Sequence, residues 1–309
     1  MAERPVSPSK RPNEWARVSV DPGSKGGTRT RLLELSVALV EHLRCAQHER
    51  SPEDYCHVYQ VCLPYRGLGI WHVGGEEVIA DATQAIFVRG GEAYQMSGPV
   101  AGGYAELVLT PNVELLTELL PTNGNRLFGH PVFKARSGRA SSFLQNFRTR
   151  FLYWATALPN REPMNADELV IALLRAAFQG HPRRGNTCSN TTARLIRQAK
   201  EYLEAELPNR VTLADVARVV GASPAYLTDV FSRVEGTSLH QYLTKLRLAR
   251  ALAELPHAGN LTALAFDVGF SSHSHFSAVF RRAFGLTPSQ FRETTRRRLR
   301  PVIDGCSRT

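Results

Sequence analysis

The stretch Val211–Tyr242, VTLADVARVVGASPAYLTDVFSRVEGTSLHQY, and the stretch Leu261–Phe291, LTALAFDVGFSSHSHFSAVFRRAFGLTPSQF, carry one pattern twice. Leu213, Val216, Ala217 and Gly221 recur 48 residues on as Leu261, Leu264, Ala265 and Gly269. After one inserted residue, Leu227, Phe231, Gly236 and Gln241 recur 49 residues on as Phe276, Phe280, Gly285 and Gln290. Apolar residues that keep the same register in both copies mark one supersecondary unit used twice.

Each copy has a physical reading. Thr212 is an N-cap residue, and the apolar-periodic helix after it ends at Gly221. A glycine there takes the left-handed conformation that a tight turn needs. Ser223 caps a second helix with Pro224 at its first position, where a missing N–H costs nothing. Leu227 and Phe231, four apart, face the core, and Gly236 ends the helix. In the second copy Gly269 makes the turn, Ser271 or Ser272 caps, and Phe276 and Phe280 anchor. Helix, glycine turn and capped second helix make a helix-turn-helix, whose second helix enters the DNA major groove. An apolar-periodic segment, Ser238 to Leu255, joins the two.

The doubled unit resembles the DNA-binding domain of the AraC/XylS family of bacterial transcription regulators. The resemblance rests on VGF at Val268–Phe270, FRRAFG at Phe280–Gly285 and TPSQFR at Thr287–Arg292. It covers roughly the last third of the chain. It implies base contacts at Ala225, Thr228 and Asp229 in the first unit and at Ser274, Ser277 and Ala278 in the second. The wider candidate DNA-binding set is Ser223, Pro224, Ala225, Tyr226, Thr228, Asp229 and Arg233, then Ser272, His273, Ser274, His275, Ser277, Ala278, Arg281 and Arg282. Arg on guanine and Asn or Gln on adenine are the usual base readers, and none occupies the six implied positions. Ser and Thr can bond several bases, a small side chain can touch a thymine methyl, and Asp229 can accept from cytosine. Arg233, Arg281 and Arg282 read as phosphate anchors. Lys245, Arg247 and Arg250 lie on the connecting helix, where pairing with acids such as Glu254 competes with DNA. The cluster Arg296–Arg300 reads equally as a nonspecific DNA contact or a frayed tail.

Charge agrees with a polyanion partner. The formal net charge is +10 over 309 residues. Residues 191–300 hold 16 Lys/Arg against 9 Asp/Glu, which places +7 of it in the helical third. Phosphate neutralisation supplies much of the affinity of such domains. No apolar run reaches the roughly 18 residues of a membrane span. The start, MAERPVSPSKRPNEW, lacks the apolar core of a signal peptide, so a cytoplasmic protein is expected.

Residues 1–28, rich in Pro, Ser, Gly and charge, read as a disordered lead-in. Arg31–Cys45 alternates like a strand. His57–Leu63, Leu68–Val73, Glu76–Ala80, Gln84–Arg89 and Tyr104–Thr110 are short strand-like runs separated by glycine, proline or charge, with Val88–Tyr94 read as a turn. Their spacing suggests a sandwich or small barrel. In the AraC/XylS family this half is often a cupin-like β-barrel that binds an effector, and the stretch resembles one less specifically. Helices are predicted at Val113–Leu120, at Ser141–Leu158 with a Phe143, Phe147, Phe151, Trp154 and Leu158 stripe, and at Asn165–Gln179. That stripe serves either the domain core or a homodimer seam. Thr191–Leu207 is the lead helix of the DNA-binding domain. Leu213, Val216, Leu227, Phe231, Leu264, Phe270, Phe276 and Phe280 read as core.

The expected class is therefore α+β: a cupin-like β-barrel sensor with helices, then an all-α domain of two helix-turn-helix units. The expected domains are 29–180 for effector binding and dimerisation, a linker at 181–190, the DNA-binding domain at 191–295 and a basic tail at 296–309. The expected function is a sequence-specific, effector-responsive transcription activator. Its partners are double-stranded DNA, a small-molecule effector of unspecified chemistry, RNA polymerase and a second copy of the chain, with no membrane. Five cysteines, Cys45, Cys56, Cys62, Cys188 and Cys306, are odd in number and scattered, unlike a disulfide framework. His42, Cys45 and His48, and Cys56, His57 and Cys62, lack the spacing of a structural zinc site, and His72 lacks the HxH neighbour of a metal-binding cupin. No metal, no cofactor and no catalytic motif is expected. The alternatives are a metal- or thiol-responsive regulator, a cupin enzyme carrying a DNA-binding domain, and a DNA-architectural protein without a ligand.

Overall fold

A computed structural model describes residues 27–46, 49–120, 126–127, 130–131, 133, 135–157, 165–180 and 189–297. Most of the expected lead-in, linker and basic tail, together with His48, Leu158, Cys188 and Cys306, lie outside them. The first half is built on strands β1 (Gly27–Glu34), β2 (Ala38–Cys45), β3 (Asp54–Cys56), β4 (Gln60–Arg66), β5 (Leu68–Val73), β6 (Glu76–Asp81), β7 (Gln84–Val88), β8 (Glu92–Ser97) and β9 (Tyr104–Pro111). Helix α1 (Val113–Leu119), a short β10–β11 pair (Arg126–Leu127, His130–Pro131), β12 (Ser137–Arg139), α2 (Ser142–Ala157) and α3 (Ala166–Phe178) follow.

The strands form two antiparallel sheets, ordered β1-β2-β9-β4-β7-β12 and β3-β8-β5-β6. Alternation decides what each face meets. On one face of the six-stranded sheet, Val61, Leu63, Phe87, Leu107 and Leu109 pack against α2 and α3. On the other, Cys62, Ile86, Val88, Tyr104 and Val108 meet Cys56, Trp71 and Met96 of the four-stranded sheet. This explains why central β9 is buried along its whole length. Pro64 sits in central β4, where a missing N–H is costly, and the register shifts between Pro64 and Arg66 there. The buried Arg148 of α2 donates to the Pro64 carbonyl.

Several expected elements differ. Arg31–Cys45 is strand-like as expected, but it is two strands broken at residues 35–37. The first residues of the expected His57–Leu63 strand are coil, and β4 begins at Gln60. Tyr94 belongs to a strand: only residues 89–91 turn, and polar β8 pairs with β3 and β5. Phe143 is not core, because the stripe on α2 rotates out at its N-terminal end and leaves Phe143 57% exposed beside Phe147. Phe151 and Trp154 are buried.

The second half is helical: α4 (Asn190–Ala205), α5 (Leu213–Val220), α6 (Pro224–Glu235), α7 (Leu239–Glu254), α8 (Leu261–Asp267), α9 (His273–Phe284) and α10 (Pro288–Arg296). One buried polar cluster joins it to the sheets. Asp81 ends β6 with no exposed surface. Its Oδ1 accepts from the Thr83 amide at 2.9 Å and the Thr83 hydroxyl at 2.5 Å. Its Oδ2 accepts from Lys200 Nζ of α4 at 3.2 Å and Tyr242 Oη of α7 at 2.7 Å. Lys200 also pairs with Glu235, the last residue of α6, at 3.0 Å and lies over the Tyr242 ring. Arg139 of β12 donates to the Glu235 carbonyl at 2.6 Å. Burial works against the Asp81 charge, but Lys200 and the hydrogen bonds from Thr83 and Tyr242 outweigh it and hold Asp81 below the usual carboxylate range. Removing one member of a buried ion pair typically costs about 3–5 kcal/mol, because it strands the other charge. Asp81→Asn should therefore split a single unfolding transition in urea into two, the sheet domain and the helical domain separating.

Glu106, like Asp81, has no exposed surface. It accepts from the Tyr104 hydroxyl between the sheets. Burial pushes its pKa from 4.5 to about 7, against the Tyr104 bond and the Arg29 charge. An acid raised in the folded state ionises first in the unfolded chain. Stability should then fall as pH rises from 4.5 to about 7 and level off above that. At 1.36 kcal/mol per unit the fall is roughly 3 kcal/mol. Glu106→Gln should remove the slope, matching the wild type at pH 4 and exceeding its stability at pH 8 in urea titrations.

Candidate nucleic-acid interface

The two repeated units are α5–α6 and α8–α9. Thr212 caps α5 in a reciprocal capping box with Asp215. Ser223 caps α6 by accepting from the Tyr226 amide, and Ser272 caps α9 by accepting from the His275 amide. Of the two candidate caps, Ser272 is the one used. Leu227, Phe231, Phe276 and Phe280 are fully buried in one core with Val216, Leu264, Phe270 and Phe291. Leu213 does not belong to it: at the start of α5 it is 38% exposed, while Val216 and Ala217 carry the burial. Lead helix α4 and connecting helix α7 complete the core through Leu203, Leu246 and Leu252.

This packing fixes which side of each second helix faces out. On α6, Pro224, Ala225, Tyr226, Thr228, Asp229 and Arg233 are exposed, and Ser223 is exposed at its cap. On α9, Ser274, His275, Ala278, Arg281 and Arg282 are exposed, while His273, Ser277 and the cap Ser272 are half-buried. The expected residues thus share two helix faces. Their hydrogen bonds narrow what each can offer. Thr228 donates its hydroxyl to the Pro224 carbonyl at 2.9 Å, which leaves lone pairs for a base donor. Asp229 and Arg233 form an exposed ion pair along α6, so a phosphate would have to compete with Asp229 for Arg233. Among the described residues, no carboxylate lies within ion-pair distance of Arg281 or Arg282, so their guanidiniums stand open to an anion.

The other basic residues are mostly committed to the fold. Arg250 pairs with Glu204 at 3.0 Å and with Glu254 at 3.5 Å. Arg247 donates to the Leu207 carbonyl at 3.0 Å and the Asn209 carbonyl at 2.6 Å. Arg292 and Arg296 pin the α7–α8 corner through the carbonyls of Ala258 and Pro256, so Arg296 is not a frayed tail residue. The Arg250–Glu254 pair is the one the sequence suggested, whereas the roles of Arg247, Arg292 and Arg296 were not legible because a carbonyl partner leaves no charge pattern.

Among the described residues, no group of three or more His, Cys, Asp or Glu side chains is placed to hold a metal ion. Burial pushes Cys45 up to about 11 and Cys62 well above the ordinary thiol range. Cys56 is raised by burial and donates to the Val58 carbonyl at 2.9 Å. These three stay thiols at neutral pH, opposite to what a reactive thiolate requires. Burial and the Arg44 charge lower His42 to about 4.

The junction of unit two with the rest is tight. Gly269 has a φ of +86°, and a Cβ there would lie 2.5 Å from the Leu207 carbonyl oxygen and 2.7 Å from Arg247. Gly221, at the equivalent turn of unit one, has a φ of +67° and open space around it. Gly221→Ala should cost only the left-handed penalty, about 1–2 kcal/mol. Gly269→Ala must also displace backbone, and should cost at least about 2 kcal/mol more, in the range of severe packing defects. Thermal unfolding of both variants checks the difference.

Residues 216–294 match a family profile described as a helix-turn-helix domain. The chain is 26% identical over 164 residues to the Msm operon regulatory protein of Streptococcus mutans, covering 52% of this chain and 59% of that one. It is 32% identical over 130 residues to the HTH-type transcriptional activator RhaS of Escherichia fergusonii, covering 42% of this chain and 46% of that one. A solved transcriptional regulator with an AraC-type DNA-binding domain, from Chromobacterium violaceum, is 28% identical with a TM-score of 0.33, covering 35% of this chain and 98% of that one. The chain spans between about a fifth and three fifths of the length of the curated relatives it matches. Among the described residues, no helix is long and apolar enough to cross a membrane.

Proposed function

Because the chain belongs to the AraC/XylS family of bacterial transcription regulators through its last third, we propose that it is a sequence-specific DNA-binding regulator that answers a small-molecule effector and activates transcription in the cytoplasm. The observation that carries this reading is the doubled unit, with α6 and α9 exposed on one shared core. Both helices enter successive major grooves on one face of DNA, about 34 Å apart. Ala225, Thr228 and Asp229 of α6, and Ser274, Ser277 and Ala278 of α9, meet base edges. Arg281 and Arg282 hold phosphates, and Arg233 joins them once a phosphate replaces Asp229 as its partner.

The sheet half, residues 29–180, serves as the sensor, and residues 191–295 bind DNA across a linker at 181–190. A cupin-like sensor is supported by two antiparallel sheets packed face to face with helices on the outside. The buried Asp81–Lys200–Glu235 cluster gives an effector a route to α6, since it ties that helix to β6.

Selection of bound duplexes from a random pool tests the reading. A recovered site of about two helical turns supports it, and no enrichment over input overturns it. On that site, Arg281→Ala with Arg282→Ala should weaken binding to all sequences alike. Each phosphate contact contributes about 0.9 to the slope of log K against log salt, so the slope should flatten by about 2.

A further inference from the structure

A cleft of about 920 Å³ lies between the two halves. Its volume is at the upper end of the usual ligand-site range, roughly 300–1,000 Å³. Among the described residues, the space between the sheets is filled by side chains. Trp71, Ile86, Met96, Tyr104 and Val108 fill it, and the pocket beneath Trp71 and Tyr94 measures about 10 Å³, room for at most one water. The sheet side of the cleft is formed by β2, β4, β9 and α2, and the helical side by the C-terminal end of α7, the α7–α8 corner and α8.

Three observations fix the chemistry. First, Arg44 and Arg66 both lie opposite Ala105, on either side of β9, so they share one row of one sheet face. Two strand spacings, about 10 Å, separate their Cα atoms, and both long side chains line the cleft. Among the described residues neither has a carboxylate within ion-pair distance, although both are exposed. The facing acids are Glu254, already held by Arg250, and Asp267 at the end of α8. Second, one ring pair stands on the sheet wall and another bridges the two walls. His42 and Tyr65 stack at 5.7 Å and share a 2.6 Å hydrogen bond, while Tyr153 of α2 meets His257 of the α7–α8 corner at 5.4 Å. Third, Thr149 lines the cleft at 4% exposed with a buried hydroxyl that has no hydrogen-bond partner. Buried polar groups rarely go unsatisfied, so a cleft-lining hydroxyl of this kind asks for one.

Resting on the reading of the chain as an effector-responsive regulator, we propose that this interdomain cleft is the effector site, and that it takes a small organic acid with a planar, hydrogen-bonding body, its carboxylate held between Arg44 and Arg66. Such a ligand touches both halves at once. It therefore favours the docked arrangement over any in which the halves separate, which is the differential affinity that a conformational response requires.

The test uses the full chain and measures melting with 4-hydroxybenzoate, indole-3-acetate and gallate, each beside its uncharged amide. At least one acid should raise the melting temperature in a saturable way while its amide does not. Arg44→Ala with Arg66→Ala, both at exposed positions, should melt unchanged without ligand and bind that acid at least tenfold more weakly. Arg44→Lys with Arg66→Lys should recover part of the binding. An acid-induced shift undiminished in the alanine pair overturns the site while leaving effector response intact. No shift from any acid, or equal shifts from acids and amides, overturns the ligand class. Specific DNA selection by the same unliganded protein, scored separately, shows whether the regulator reading itself stands.

Discussion

A carboxylate with no exposed surface is expensive to bury, and the chain places one, Asp81, where both halves must converge to satisfy it. Thr83 supplies two hydrogen bonds from the same turn, but the charge is met by Lys200 of α4, and the last short bond comes from Tyr242 of α7. Lys200 is as fully buried as Asp81 and divides its charge between Asp81 and Glu235. None of these groups can be left behind in an apolar seam without stranding a charge. The domains are therefore joined by an all-or-none polar lock, which specifies one docking geometry where an apolar seam of the same size would tolerate sliding.

The lock reaches helices the DNA reading depends on. Glu235 is the last residue of α6, and its carbonyl also takes the Arg139 bond from β12. A shift of the sheet half thus acts directly on the C-terminal end of α6. The second unit is held differently. Helix α2 packs against α7, α9 and α10, and the turn at Gly269 closes onto the Leu207 carbonyl and Arg247. The first unit is tied to the sheet domain by charge, and the second by packing. Charge is the more sensitive of the two to a ligand or a proton, because its balance depends on every partner being present.

Much of the helical half was legible because its signals are local. Caps, glycine turns and i,i+4 anchors lie within a few residues of each other, and the doubling made each test the other. Leu213 shows the limit: its recurrence at Leu261 suggested core, yet at the first turn of α5 it lies beyond the reach of the partner helices. The sheet half was legible as β, but β8 was not, because its polar residues give no alternation strong enough to outweigh the two glycines before it. Three-residue β3 and β12 are too short to show a period. The lock and the cleft were invisible for a deeper reason. Asp81 and Lys200 are 119 residues apart, and Arg44 and Arg66 become neighbours only through the register of β9. A lone lysine in a helix looks the same in sequence whether it faces water or a buried acid.

The candidate DNA surface carries its own constraint. Small and hydroxylated side chains at Ala225, Ser274, Ser277 and Ala278 let the backbone of each helix approach a groove closely, but they offer few directed hydrogen bonds. In the proposed interface, discrimination would then rest on fit, on thymine methyl contacts and on Thr228 and Asp229. Asp229 is the costly member, since an unpaired carboxylate near phosphates is repelled. Its ion pair with Arg233 resolves this in the free chain. When a phosphate competes for Arg233, Asp229 loses that partner and needs a cytosine amino group or an equivalent donor in its place. In the proposed interface, a duplex lacking such a donor would leave the acid stranded, so this pair would penalise wrong sequences more than it rewards right ones, while Arg281 and Arg282, which have no acid within ion-pair distance among the described residues, would bind phosphate without regard to sequence.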